Sequence, residues 1–379
     1  KFEIFILVFY LSLILSSFFS NFKIESLTSS LFLIRFILLY YVFKHYFSSE
    51  SKSKIINLSF FILCFTFLIL IIDGYTQYFL KLSIFGTELT TVERMTMHFR
   101  KEEYIMGSFL SKMIPIFFGL WFYKYKNFNL KINLFLTILF ILVFYCMVLS
   151  NDRAATFLVI GFLIGLIILI KSKIYYKLFA LLIIFLSIFL TINLVPSVKE
   201  RYIETTFKEI LGENDSSVND DIKILRNKDI KAKSFDLKIN NKNIYFFSTA
   251  HEAHIKTSYN MFFNNPLLGI GPNNFRKLCS EKNYGIYEER GCSTHPHHIL
   301  AQILAETGLL GLIFYLITFI YLVVKLVKQL FLANLSFNLL SMYSFYFLIL
   351  MPFLPSGNIF NNWYIYSIAL PFLYLKFIK

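Results

Sequence analysis

The chain is 379 residues long, 57% hydrophobic and only 16% charged, where a soluble domain carries roughly a quarter charged residues; mean hydropathy is +0.62. That composition excludes a water-soluble globular protein and points to an all-α polytopic membrane protein surrounded by lipids. The formal net charge of +14 admits anionic partners, but the lysines sit mostly in short loops between apolar runs. With no basic helix or stacking motif, nucleic acid is not expected as a partner, and the excess charge reads as membrane topology.

Taken in chain order, apolar runs fall at 3–19, 31–47, 55–72, 104–122, 132–149, 154–170, 176–195, 299–324, 336–353 and 359–376. Each is long enough to span a bilayer, which predicts about ten transmembrane helices. The first run has no small-residue cleavage site and reads as a span rather than a signal peptide. Lysines at 44, 52 and 54, at 124, 126 and 131, at 171, 173 and 177, at 325 and 328, and at 376 and 379 mark the inward side. The positive-inside rule then puts both termini in the cytoplasm and the segments 20–30, 73–103, 150–153, 196–298 and 354–358 outside. The predicted organisation is seven helices in 1–195, including the outward segment 73–103, then a large outward loop domain at 196–298, then three helices in 299–379.

Within that loop domain, 212–243 is charged and reads as irregular. HEAHIKTSYNMFFNNP, residues 251–266, reads as an amphipathic helix ended by Pro266, with Met261, Phe262 and Phe263 available to the membrane interface.

The outward segments hold nearly all the polar residues that are costly near a bilayer. Arg153, in SNDRAATF, lies between two apolar runs and is either a snorkelling side chain beside Asp152 or an anion clamp suited to phosphate. MHFRKEEYIMG gathers His98, Arg100, Lys101, Glu102 and Glu103, with Arg94 upstream; this is either a solvated helix entry or part of an anion site. GIGPNNF reads as a tight turn followed by Arg276, a second candidate anion ligand, since no strand–helix context supports a dinucleotide site. Cys279 and Cys292 have twelve residues between them; on an oxidising exterior they can form a disulfide worth roughly 3 kcal/mol. Two free thiols are the alternative, and the spacing matches no compact metal pattern.

Most conspicuous is THPHHILAQILAETGLLGL, which sets His295, His297 and His298 at the mouth of an apolar run. Gln302 and Glu306 follow at helical spacing, and Glu306 needs a partner inside an apolar helix. Gly308 and Gly311 permit close helix packing. The histidines are either interfacial residues without chemistry or general bases.

The run from His297 resembles the signature of the O-antigen ligase and O-antigen polymerase superfamily: His, a polar residue, nine residues, then Gly-x-x-Gly. Here His297 and His298 take the first two positions, although Asn is usual at the second, and Gly308 and Gly311 complete the pattern. NNPLLGIGPNNF, SNDRAA and FRKEEYIMGSFL resemble further family segments in the family's order, so the likeness extends in blocks over 73–320. Family members often have about twelve spans, against ten here.

The resemblance implies a glycosyltransferase of the bacterial inner membrane that needs neither metal nor other cofactor. Its donor is an undecaprenyl-diphosphate-linked glycan on the periplasmic face. Its acceptor is lipid A–core for a ligase, favoured here, or a lipid-linked glycan for a polymerase. It further implies His297 or His298 as general base and Arg153, then Arg276, as diphosphate ligands, with Arg94 or Arg100 assisting. A transporter of the same lipid-linked glycan and a non-catalytic assembly subunit are the rival readings.

Overall fold

The computed structural model describes residues 2–47, 52–86, 94–96, 104–125, 129–169, 172–211, 236–239, 242–245, 249–281, 284, 291–331 and 336–377. Helices cover Phe2–Phe18, Lys23–Leu31, Ile34–Phe47, Lys52–Leu80, Met106–Lys124, Leu130–Leu149, Arg153–Leu169, Ile174–Leu194, Thr249–Asn264, Ile299–Phe331, Phe337–Ile349 and Asn362–Phe377, with shorter turns between some of them. Among the described residues, five stretches are long and apolar enough to cross a membrane: Lys23–Tyr46, Lys52–Leu80, Leu130–Leu149, Ile174–Leu194 and Ile299–Gln329. Shorter apolar helices lie at Glu3–Phe18, Arg153–Leu169 and Phe337–Ile349. The chain is a multi-pass membrane protein. Its helices carry large outward-facing hydrophobics such as Leu178, Phe185 and Ile320, a surface that water does not tolerate on this scale.

Several expectations need correction. The outward stretch 20–30 contains a helix, Lys23–Leu31, not a bare loop. The helix expected at 55–72 runs on to Leu80 and takes in the start of the supposed outward segment. Most of 212–243 lies outside the described residues, but Asp236–Ile239 and Lys242–Tyr245 pair as an antiparallel hairpin, with Asp236 opposite Tyr245. Met261 does not reach the membrane interface; it is fully buried in a cluster with Ile270, Phe275, Leu278, Cys279 and Ala305.

The chain divides into two compact units. One comprises Lys1–Tyr41, Glu204–Tyr321 and Leu350–Tyr366; the other comprises Val42–Ile203, Leu322–Ile349 and Ser367–Lys379.

In the first unit, a break in the long helix organises everything nearby. Gly308 has φ 63° and ψ −156°, so Ile299–Phe331 is two helices joined at a non-helical residue. The NPLLGIG stretch threads the break. The Ile270 and Gly271 N–H groups donate to the Ala305 and Glu306 carbonyls at 2.9 and 3.1 Å. On the other side, the N–H groups of Leu309 and Leu310 donate to the Pro266 and Leu267 carbonyls at 2.8 and 3.3 Å. Backbone groups orphaned by the break are thus satisfied by the crossing strand. Both chains are glycine at the crossing because a Cβ on Gly269 would lie 2.5 Å from the Glu306 carbonyl carbon, and one on Gly308 2.6 Å from the Leu267 backbone. Gly308 therefore serves to interrupt its helix, not to pack helices as the spacing suggested. Gly311 makes room within its own helix for Thr307, whose hydroxyl a Cβ there would overlap.

Serines complete this unit. Ser17, Ser26 and Ser30 are buried and mutually hydrogen-bonded, and Ser16 Oγ donates to the Leu268 carbonyl at 2.6 Å. Small hydroxylated side chains let helix backbones approach closely in an apolar setting.

The second unit is centred on the helix Met106–Lys124, with Leu110, Ile114, Ile116, Phe117 and Leu120 buried. It also holds a buried carboxylate that composition alone does not reveal. Asp73 accepts from Ser83 Oγ at 2.7 Å, from the Ile84 N–H at 3.0 Å and from Gln77 Nε2 at 2.7 Å. Gln77 in turn pairs with both backbone groups of Thr96. The network ties 81–86 and 94–96 to the end of their helix, a use of polar groups that costs little only because each is satisfied.

Candidate functional site

The helix Thr249–Asn264 buries one face, on which His254, Thr257, Ser258 and Met261 recur at helical spacing, while Glu252 and Lys256 pair across one turn of its surface. On the same helix, His251 and His254 lie three positions apart and so share a face.

Across from them runs the segment entering the broken helix. A disulfide joins Cys279 to Cys292 and holds that segment against the buried cluster around Phe275. Beyond it, His295 and His297 turn their rings toward the helix. Ring centroids lie 4.0 Å apart for His295 and His297, 5.6 Å for His297 with each of His251 and His254, and 6.4 Å for His251 with His254. Four imidazoles thus meet in one cluster, and sequence reading had singled out only the two from the motif segment. The overlooked signal was the i, i+3 spacing in HEAH.

The rings are held differently. His295 is buried; its Nε2 donates to the Ser356 carbonyl at 3.3 Å and its Nδ1 receives the Thr294 hydroxyl at 3.0 Å. Burial, reinforced by the Arg276 charge and neighbouring imidazoles, pushes its pKa down to about 4. His254 is only 8% exposed. One of its nitrogens bonds the Cys292 carbonyl, and Nδ1 is buried without a hydrogen-bond partner, so the donor is Nε2. Burial and then repulsion from His251 push its pKa to about 4 as well.

His297 sits at φ 55°, a left-handed conformation uncommon for a side-chain-bearing residue. Its carbonyl accepts from the Ser356 N–H at 2.9 Å, and its Nε2 meets Ser293 Oγ at 3.0 Å.

His298 points elsewhere. Its Nδ1 accepts the Ala301 N–H at 3.2 Å, its carbonyl accepts the Gln302 N–H at 2.9 Å, and its ring also bonds the Pro352 backbone. It is the N-cap of the helix Ile299–Phe331. Burial lowers its pKa too. The polar position of the motif is accordingly a capping position, which a short polar side chain fills equally well.

Glu306 is 1% exposed and acts as an internal clasp. It accepts the Phe275 N–H at 2.9 Å and Gln302 Nε2 at 3.0 Å, and Gln302 Nε2 also reaches Asn358 Oδ1 at 2.7 Å. Arg276, one residue beyond, is exposed apart from a 2.8 Å bond to Asn273 Oδ1, and its charge acts on His295.

The other arginines belong to the second unit. Asp152 caps the helix Arg153–Leu169 by accepting the Ala155 N–H at 3.2 Å, which places Arg153 in the first turn. Tyr202 bonds Thr156 Oγ1 at 2.7 Å and lies in the fields of Asp152, Arg153 and Arg94 together. Arg94 lies 5.3 Å over the Tyr104 ring. The charges of Arg153 and Arg94 thus both act on Tyr202. Arg100, with His98, Lys101, Glu102 and Glu103, lies outside the described residues. Among the described residues no set of three or more His, Cys, Asp or Glu is arranged to hold a metal ion.

The buried histidines set an acid limit on stability. An unfolded histidine binds its proton near pH 6.5, whereas His254 and His295 do so only near 4 in the fold. Between those values the unfolded chain binds more protons, so stability falls as pH drops through that window and levels off below it. Thermal melts of the purified protein from pH 7.5 to 4 are expected to show this loss, and His254→Gln is expected to shrink it.

Residues 138–316 match the family model described as O-Antigen ligase. The matched span takes in Arg153, all four clustered histidines, Arg276 and the glycines of the crossing; Arg94 and Arg100 lie outside it. No curated protein matches the chain.

Proposed function

We propose that this chain, which carries an O-antigen ligase family domain over residues 138–316, transfers a glycan from a polyprenyl diphosphate to an acceptor hydroxyl, with undecaprenyl diphosphate as the carrier and lipid A–core as the acceptor. The reaction takes place at the periplasmic face of the bacterial inner membrane, with both termini in the cytoplasm.

His297 is the general base. As the acceptor oxygen attacks the anomeric carbon, its proton passes to a ring nitrogen of His297. The bond from that carbon to the diphosphate oxygen breaks, and the diphosphate leaves with the electron pair. A single displacement inverts the anomeric centre. Charge on the departing diphosphate needs compensation, and guanidinium groups supply it through paired N–H donors. Arg276, in the same unit as His297, is one candidate source, and Arg153 and Arg94 are candidates by the chemistry of their side chains.

The observation that carries this reading is the division of labour within the motif. The ring of His298 is taken up by backbone groups at a helix start, whereas His297 Nε2 meets a serine hydroxyl, the kind of group an incoming sugar hydroxyl can replace.

The purified protein, given a polyprenyl-diphosphate-linked glycan and lipid A–core, is expected to yield glycosylated lipid A–core with loss of the lipid-linked donor. Longer lipid-linked glycan with no lipid A product identifies a polymerase. No covalent product with either acceptor rejects the transferase reading.

A further inference from the structure

A general base works best when a third group fixes its tautomer. His297 has one nitrogen, Nε2, opposite the Ser293 hydroxyl at 3.0 Å. For Nε2 to be the bare, proton-accepting nitrogen, the ring proton must reside on Nδ1 and find an acceptor. The cluster contains a bare acceptor. His254 Nδ1 is buried without a hydrogen-bond partner, on a ring whose centroid is 5.6 Å from that of His297 and tilted by 33°. An unmet buried acceptor is costly, and native proteins keep few of them. The other nitrogen of His254 faces the Cys292 carbonyl, a residue fixed in turn by its disulfide to Cys279, which favours keeping the proton on Nε2 and leaving Nδ1 bare.

We propose that His254 is a positioning residue of the transfer site: its Nδ1 receives the Nδ1–H of His297 as substrate seats, fixing the tautomer that leaves His297 Nε2 free to take the acceptor's proton. Apo hydrogen bonds of this kind are often long and tighten only when substrate binds. Among the described residues, the charged and titratable groups around the pair are His251 on the helix of His254, His295 on the segment of His297, and Arg276. Burial among these groups keeps His254 neutral near pH 7, as an accepting partner must be. The inference rests on the proposed role of His297 as base and adds the group that orients it.

Two substitutions separate orientation from mere support. In His254→Gln the amide nitrogen falls near Nε2 and keeps the bond to the Cys292 carbonyl, but the acceptor at Nδ1 is lost. In His254→Asn the amide oxygen falls near Nδ1 and keeps the acceptor, while the Cys292 bond is lost. Glycan transfer is measured across pH in detergent-purified, melt-checked protein. His254→Gln is expected to lower kcat by about ten- to a hundredfold, the range that orienting partners of imidazole ligands command, with KM unchanged. The acid limb of its pH–rate profile is expected to move to lower pH, because an accepting partner raises the basicity of the ring it holds. His254→Asn is expected to stay within a few-fold of the parent with its limb in place.

A Gln variant with parental rate and limb, or an Asn variant that falls as far as Gln, overturns the proposal. Should the Gln variant fail to fold, the Asn variant decides alone, and a loss of about tenfold or more overturns it. His297→Ala, run alongside, keeps the two readings apart. If it retains full transfer, the general-base reading itself fails; if it is inactive while His254→Gln is normal, only the positioning role fails.

Discussion

Replacing His297 with alanine is expected to lower glycan transfer by about 10²- to 10⁴-fold, the usual contribution of a general base, while His298→Asn leaves it within a few-fold. The two neighbours differ by one position in the chain and by everything in their surroundings. At φ 55°, His297 turns its ring out of the helix start and into the imidazole cluster. His298 turns its ring back onto the helix it begins, receiving the Ala301 N–H. Asparagine is among the best N-capping residues, so His298→Asn keeps that bond and loses only the contact of the second ring nitrogen with the Pro352 backbone. His298→Ala removes the cap and is expected to cost about 1 kcal/mol of stability, visible as a lower Tm with little change in kcat. The measurement is initial-rate transfer to lipid A–core for each variant, normalised to folded protein. Equal losses at the two positions, or a loss at His298 alone, reverses the assignment.

The apolar runs made the helices legible, because a helix in lipid must satisfy its backbone internally and its length follows from bilayer thickness. The pairing of Cys279 with Cys292 was legible for a similar reason: a short loop, expected on an oxidising face, leaves few alternatives. What escaped was every contact that no periodicity or motif spacing encodes. Asp73 looks like the first residue of an outer loop until Ser83, Ile84 and Gln77 close around it. Gly308 looks like half of a packing motif until the strand near Gly269 is seen to pass through the break it makes. His254 is unremarkable in HEAHIKT; its meaning comes from His297, forty-three positions on, and no periodicity on either segment encodes that meeting. His298 was half legible for a subtler reason. A histidine in a motif invites a chemical role, and only the hydrogen bonds at the helix start show that its ring also caps a helix.

Gly269→Ala is expected to destabilise the protein by about 2 to 5 kcal/mol, from left-handed strain of about 1–2 kcal/mol and overpacking of about 1–3 kcal/mol. Gly269 has φ 68°, which an alanine adopts only under strain. The new methyl would also lie 2.5 Å from both the Glu306 carbonyl carbon and the Thr307 nitrogen. These are backbone atoms of a helix end, and they cannot swing aside as a side chain does. To relieve the overlap the crossing strand must lift, which stretches the bonds from Ile270 and Gly271 to the carbonyls of Ala305 and Glu306. Glu306 then loses its hold on the Phe275 N–H, and the segments bearing His254 and His297 lose their common footing. The loss is comparable to much of a typical domain's net stability, about 5–15 kcal/mol, so a sharp fall in Tm and in yield is expected together with loss of transfer. Gly308→Ala, with φ 63° and a methyl 2.6 Å from the Leu267 backbone, is expected to behave alike. Gly161→Ala and Gly165→Ala are the controls. Both lie in the helix Arg153–Leu169 with nothing within 4 Å of an added methyl, and alanine is the better helix former by up to about 1 kcal/mol. A Tm for Gly269→Ala equal to that of these controls means that the crossing is looser than its contacts imply, and that the helix break is not what holds the histidine cluster in place.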